Sequence, residues 1–397
     1  MLMLRLCLAA GLVSGIVHSE ENENLLKILQ TDGSVALLRS LETDTYERVS
    51  GIYKNGATFS APAHKITRVD YPFSFWQQGC AMREEGRHIL AAMYFQKMLD
   101  AAGAQRWAAH AGNLGLADSL YDLGAFKGYK GKAGTAFEPP SVYYLRALEA
   151  HPQMRSIGET SVRLVECLIH QGELAEAERA LESGKRRISE YSRVIRLHAG
   201  YEPAVRRAQA RLACVKAELA SARARKGDAQ WADAAREWQS ALGACEKFPD
   251  LLATAYEQYF GSLAEKGSHA ETAQAAQLAI AKFGGEPGHE TLLAAAHLAL
   301  GKALLARGVS LQQGQHEIAA QLDFAEARWN FLTVVARYFE SDMHVAAAHY
   351  FAGLCFEKRT PLESGAAKRA RGEWKTVLHV FPRSAFGELA KAKLAAR

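Results

Sequence analysis

Apolar residues recur at helical spacing through Ser161–Glu182. Val162, Leu164, Val165, Leu168 and Ile169 make one stripe, and Leu174, Ala177, Ala180 and Leu181 make a second. Gln171–Gly172 separates them. Glycine readily takes the left-handed conformation that closes a helix C-terminus, so the pattern predicts two short helices joined by a tight turn. A small residue such as Ala177 lets two antiparallel helices approach, and a large one four residues later, Leu181, fills the next groove. So short a hairpin cannot bury its apolar face alone and must stack on neighbours.

The same pattern returns along the chain. In Phe75–Leu99, Gly79, Met82, Gly86, Ala91 and Phe95 stand where the first unit has Val165, Leu168, Gly172, Ala177 and Leu181. Trp107–Tyr121 pairs with Pro140–Glu149, and Pro203–Arg225 with Trp231–Lys247. Leu251–Glu265 pairs with Ala270–Lys282. Thr291–Arg307 pairs with a helix carrying Ala327, Phe331 and Val334, and His344–Phe356 with Ala367–Val380. Pro152, Pro249 and Pro382 close three of these units at a matching offset. About seven hairpins are therefore expected over Tyr71–Pro382. Ser384–Arg397 reads as a last helix, apolar at Phe386, Leu389, Ala390 and Leu394 and charged on its other face, which suits a terminal cap.

The first seventy residues have another texture. Met1–Ser19 carries an early Arg5 and an apolar core from Leu4 to Val17, with Val17 and Ser19 suitably placed for cleavage, and is expected to be a secretory signal peptide. The run is shorter than the ~20 residues a spanning helix needs, and no other segment is expected to cross a membrane. Asn22–Tyr71 has turn signals at Asp32–Gly33 and Lys54–Asn55–Gly56 between short apolar runs. Four or five strands are expected, making a small β module of SH3-like or Sm-like size. The expected domains are 1–19, signal peptide; 22–71, β module; and 72–397, helical repeats with a C-terminal capping helix.

The repeat resembles the tetratricopeptide repeat, whose pattern is Trp-x2-Leu-Gly-x2-Tyr, then Ala-x3-Phe, then Pro. Ala91-x3-Phe95, Ala327-x3-Phe331 and Ala370-x3-Trp374 match its second helix. The resemblance implies a mainly α fold, a tetratricopeptide-like α-solenoid preceded by the small β module. It further implies a protein-binding scaffold with no catalytic residues to carry over. Asn22–Tyr71 resembles the small β modules that precede helical repeats in some secreted bacterial proteins. Phe331–Phe356 and Trp374–Leu394 are similar to periplasmic and outer-membrane-associated tetratricopeptide proteins, such as the barrel-assembly lipoprotein and the cell-division coordinator family, where Tyr-Pro-x-Ser joins the repeats. Phe381–Pro382–Arg383–Ser384 fits that junction, whereas Phe339–Glu340–Ser341 lacks the proline.

Charge and chemistry narrow the reading little. A formal net charge of +5 over 397 residues does not suggest a nucleic-acid binder. There is no His-Glu-x-x-His, no paired-cysteine ligand set, no Gly-x-Ser-x-Gly and no Walker loop. Gly124–Gly134 is rich in glycine and lysine but lacks a Gly-Lys-Ser/Thr ending, and reads as a basic loop. His344 and His349 are poorly spaced for sharing one helix face. Cys80, Cys167, Cys214, Cys245 and Cys355 are widely spaced, which favours buried thiols and leaves room for one disulfide. Lys185–Arg187, Arg206–Arg211 and Arg223–Lys226 read as solvated helix faces rather than an anion-binding patch. No catalytic, metal or cofactor residue is expected.

Three connections look long: Gly124–Pro139, Val309–Phe324 and Lys358–Gly365. All fall between first and second helix, hence on one edge of a stack, where insertions often mark a binding face. Part of Val309–Phe324, notably Leu311–Leu322, could instead lengthen a helix. The expectation is a secreted or periplasmic scaffold that docks a protein or peptide partner, with possible envelope association. The alternative is an envelope structural protein associated with cell wall or outer membrane; an enzyme with its site in the insertions is a third reading.

Overall fold

The computed structural model describes residues 25–101, 106–131, 136–360 and 362–396, apart from the side chains of 106–108. The expected signal peptide, 1–19, lies outside these residues. Packing divides the chain into two compact units, residues 1–156 and 157–397.

The first unit opens with five antiparallel strands: β1 (Leu26–Gln30), β2 (Val35–Asp44), β3 (Arg48–Tyr53), β4 (Thr58–Pro62) and β5 (Ile66–Asp70), ordered β4-β3-β2-β1-β5. The two predicted turns are there, with Gly33 and Gly56 at φ 83° and 85°, a region open to glycine at little cost. β2 serves two partners. Val35–Leu38 pairs with β1 and Leu38–Asp44 with β3, and register shifts after Leu38 and Leu41 bend it between them. A 3-10 turn, Ala63–Lys65, then returns β5 to the free edge of β1. This is the curled SH3-like module expected. Ile28, Leu38 and Val49 are fully buried inside it.

The sheet does not stand apart from the helices that follow: α1 (Ser74–Glu84), α2 (His88–Ala101), α3 (Arg106–Asp122) and α4 (Pro140–Ala150). Its core continues into Met98 and Ala111, with Phe73, Phe75 and Trp76 against it. The segment after α4 closes the other side. Tyr46 N donates to Gln153 O at 2.9 Å, His151 Nε2 donates to Asp44 O at 2.7 Å, and the Arg155 guanidinium pairs with the Asp44 carboxylate. Between α3 and α4 the insertion forms a two-stranded ribbon, β6 (Tyr129–Lys130) against β7 (Ala136–Phe137); residues 132–135 of the glycine-lysine loop lie outside the described residues.

The second unit holds α5 (Ile157–Gln171), α6 (Leu174–Ser192), α7 (Glu202–Lys226), α8 (Trp231–Cys245), α9 (Pro249–Glu265) and α10 (His269–Phe283). It continues with α11 (Glu290–Gln313), α12 (Glu317–Arg337), α13 (Asp342–Lys358), α14 (Ala366–Val380) and the cap α15 (Ala385–Ala395). The fold class is thus mainly α: tetratricopeptide-like hairpins, two in the first unit and five plus the cap in the second among the described residues, with the small β module ahead of them.

Two recurring devices make these hairpins one repeat. The first is the turn. At Gly172 (φ 86°), Glu173 N donates to Leu168 O and Gly172 N to Ile169 O, the paired bonds that satisfy the last carbonyls of a helix. The same pair recurs at Gly86, Gly227 and Gly267. The second is a size match. A Cβ on Gly79 would lie 2.8 Å from the Phe95 ring, and Gly301 and Gly353 sit equally close under Phe331 and Trp374. Where the second helix offers only Leu181, the facing residue is Val165.

Three sequence expectations are revised. Val309–Phe324 is not a long turn: α11 runs to Gln313, α12 starts at Glu317, and Gln315 takes the left-handed position (φ 63°) of the same paired-bond turn. The extra length therefore went into helix, as the Leu311–Leu322 alternative had it. The helix opening at Leu174 runs ten residues past Glu182, to Ser192, and Lys185–Arg187 lies on it, as the helix-face reading had it. Glu290–Gln313 is long and apolar enough to cross a membrane by length and composition, contrary to expectation, yet 67% of its apolar window is buried, as for a core helix. The β module packs in one unit with the first two hairpins.

Candidate functional site

The sequence singled out no site residue, and the site emerges only from packing. In the second unit, α9, α11 and α13 are all first helices of their hairpins, and they line a cavity of about 490 Å³. Phe260, Leu298 and Phe351 give it apolar walls, with small residues Gly261, Ala295 and Ala299 between them. α10 contributes His269 and Thr272.

Three polar side chains converge on these walls: Glu257, Lys302 and His344. His344 is buried on α13, and its Nδ1 lies 2.5 Å from Ser341 Oγ, one turn earlier. Its Nε2 has no hydrogen-bond partner among the described residues and lies 3.8 Å from Glu257 Oε1. Burial pushes the imidazole below its ordinary pKa, with Glu257 pulling the other way and Lys302 adding to the fall. In the neutral tautomer that accepts the Ser341 hydroxyl at Nδ1, Nε2 carries the proton and is a free donor. Lys302 Nζ lies 4.9 Å from the centroid of the Phe351 ring, a cation–π contact. Desolvation in the groove lowers the Lys302 pKa, opposed by Glu257. The groove thus offers an apolar floor, two donors and one carboxylate. That combination suits an apolar side chain flanked by hydrogen-bonding backbone.

The basic clusters have structural work. Arg206 pairs with Glu202, Arg207 with Asp250, and Arg211 with Glu159 and Glu166. Arg223 pairs with Glu178, and Lys226 Nζ donates to Gly172 O at 2.6 Å. These contacts tie α5 and α6 to α7, and α7 to α9, so most of that positive charge is spent within the stack. His349 Nδ1 lies 2.6 Å from Glu373 Oε2, while His344 faces the groove, so the two histidines do not meet.

A second apolar surface lies on α12. Ile318, Leu322 and Trp329 are 82%, 67% and 72% exposed on the side opposite the buried Ala320, Phe324, Ala327 and Phe331. The stripe read from the sequence, Ala327, Phe331 and Val334, is the buried one.

No protein-family model matches the chain, and no curated protein does. Three solved structures are similar to it in part. The human IFIT1 dimer with PPP-AAAA is 16% identical, covering 76% of this chain and 71% of that one, with a TM-score of 0.25. The P58(IPK) TPR domain is 12% identical over 80% and 86% of the two chains, TM-score 0.20. Naa15/Naa10 bound to HypK-THB is 14% identical over 79% and 49%, TM-score 0.21. The hairpin assignment rests on the turns and glycine–aromatic contacts described above.

Proposed function

We propose that this chain is a secreted or periplasmic scaffold that docks a protein or peptide partner in the groove between α9, α11 and α13. The observation that carries the reading is the apolar cavity with His344 Nε2 left without a hydrogen-bond partner inside it. A buried donor without an acceptor is costly, and a partner's backbone carbonyl would satisfy it. The walls would take an apolar anchor side chain, and Glu257 would accept from the partner's N–H groups. Docking on a stiff stack orders little of the scaffold, so binding would need few strong contacts. Export would follow from Met1–Ser19, with a mature N-terminus near Glu20.

The test is site-specific photo-crosslinking in the expressing cell. A photoreactive residue at the exposed groove position Gln258 is expected to capture a partner, and one at Leu278, exposed on α10, is not. Capture from both positions equally, or from neither, counts against the groove. With a partner in hand, Lys302→Ala and His344→Phe are each expected to weaken binding about tenfold, in line with the loss of one hydrogen bond.

A further inference from the structure

Among the five described cysteines, two meet. Cys214 lies near the middle of α7 and Cys245 ends α8, the helix that folds back on it. Their Sγ atoms are 3.3 Å apart across the hairpin. Cys80, Cys167 and Cys355 lie on α1, α5 and α13, each in a different hairpin. We propose that Cys214 and Cys245 form a redox site, which a low-molecular-weight disulfide of the glutathione class converts to an intrachain disulfide across the fourth hairpin.

Geometry and access set the order of events. A disulfide needs about 2.05 Å between sulfurs, so these must close by about 1.2 Å, within reach of side-chain rotation. Cys214 is half-buried and Cys245 fully buried, so the external reagent meets Cys214 first. The hydrogen bond from the Cys214 thiol holds the Cys245 thiol below its ordinary pKa, whereas that same contact together with burial pushes Cys214 up. Loss of one proton from the pair to water leaves one thiolate and one thiol; with the remaining proton on Cys245, the Cys214 thiolate attacks one sulfur of the external disulfide. That S–S bond breaks, a mixed disulfide forms on Cys214, and one thiolate leaves. The leaving thiolate takes the proton from Cys245, whose sulfur then attacks Cys214 Sγ and expels the second thiolate. That second thiolate takes up from water the proton that the pair had first released. Two protein thiols are oxidised by two electrons, and one external disulfide becomes two thiols.

The bond would join α7 to the end of α8, four residues before α9 begins at Pro249 and supplies one wall of the groove. It closes a loop of about thirty residues, which narrows the unfolded ensemble.

The experiment uses the full chain, reduced, freed of reductant and exposed to oxidised glutathione under native conditions. Peptide mapping by mass spectrometry is expected to find the Cys214 and Cys245 peptides joined, a loss of two free thiols, and no lasting glutathione adduct on Cys214. In Cys245→Ser the adduct should accumulate on Cys214, because nothing resolves it. In Cys214→Ser the buried Cys245 should stay unreacted. A lasting adduct on Cys214 in the wild-type chain overturns the proposal. So does crosslinking through Cys80, Cys167 or Cys355, or a full count of free thiols after exposure. Because mapping is done on the unsubstituted protein, misfolding of a variant does not blunt the test.

Discussion

Gly353 lies flat beneath the indole of Trp374, so near that a Cβ there would come within 2.8 Å of Trp374 Cδ1. The indole nitrogen above it donates to Tyr350 O at 3.2 Å, which fixes the ring in place. Because the ring cannot move away, Gly353→Ala should overpack the hairpin by about 1–3 kcal/mol and lower the unfolding midpoint. A smaller side chain opposite should relieve the clash, as Leu181 does opposite Val165. Trp374→Leu combined with Gly353→Ala is therefore expected to cost less than the sum of the two single changes in denaturant melts. Additive losses would refute the contact.

Gln315 occupies a left-handed turn position that glycine fills at Gly86, Gly172, Gly227 and Gly267. A non-glycine residue there carries about 1–2 kcal/mol of strain. Gln315→Gly should stabilise the chain by about 0.5–1 kcal/mol, the balance after the extra freedom of the unfolded glycine. Gly172→Gln should do the reverse. Paired thermal melts decide both.

His110 is buried on α3 with its ring 5.2 Å from that of His151. Burial, with a smaller contribution from His151, pushes its pKa from 6.5 down to about 4. Below pH 6.5 the unfolded chain takes up a proton that the folded chain refuses. Stability attributable to this residue is therefore complete above pH 6.5, falls as pH drops, and levels off below about 4, a loss of up to about 3 kcal/mol. Urea midpoints from pH 4 to 8 should show this slope in the wild type and a flatter one in His110→Gln.

Arg211 reaches from α7 to two carboxylates of α5, Glu159 and Glu166, with 2.9 Å to Glu166 Oε1. Burial acts to raise the Glu159 carboxyl, but Arg211 and Arg163 outweigh it and hold it below its ordinary value. Arg211→Met leaves Glu166 enclosed without its cation and should cost about 2 kcal/mol, less than for a fully buried pair because water still reaches Glu159. Adding Glu166→Gln should recover part of that loss. No recovery would mean that Arg211 acts through its packing alone.

Much of this architecture could be read from the chain. Stripe spacing, Gly172-type stops and Ala-x3-aromatic pairs placed all the hairpins and the cap, because a helix and its closing turn are set by residues within a few positions of one another. The turn glycines at Gly33 and Gly56 marked the β module for the same reason. Helix ends were read less well at Gln315 and Ser192. Gln315 adopts a conformation its side chain does not announce, and α6 runs ten residues past Glu182, where the stripe read from the sequence ended.

What lay beyond local reading depends on residues far apart in sequence. Glu257, Lys302 and His344 come from three helices and share a groove only because their hairpins stack. Cys214 and Cys245 are 31 residues apart and meet only when α8 folds back on α7. The polar and apolar pattern by itself determined that this chain forms antiparallel helix pairs with buried stripes, since each helix must hide its apolar face. Only the tertiary structure decided which residues of different hairpins meet, because that depends on how the hairpins stack and no local pattern fixes it.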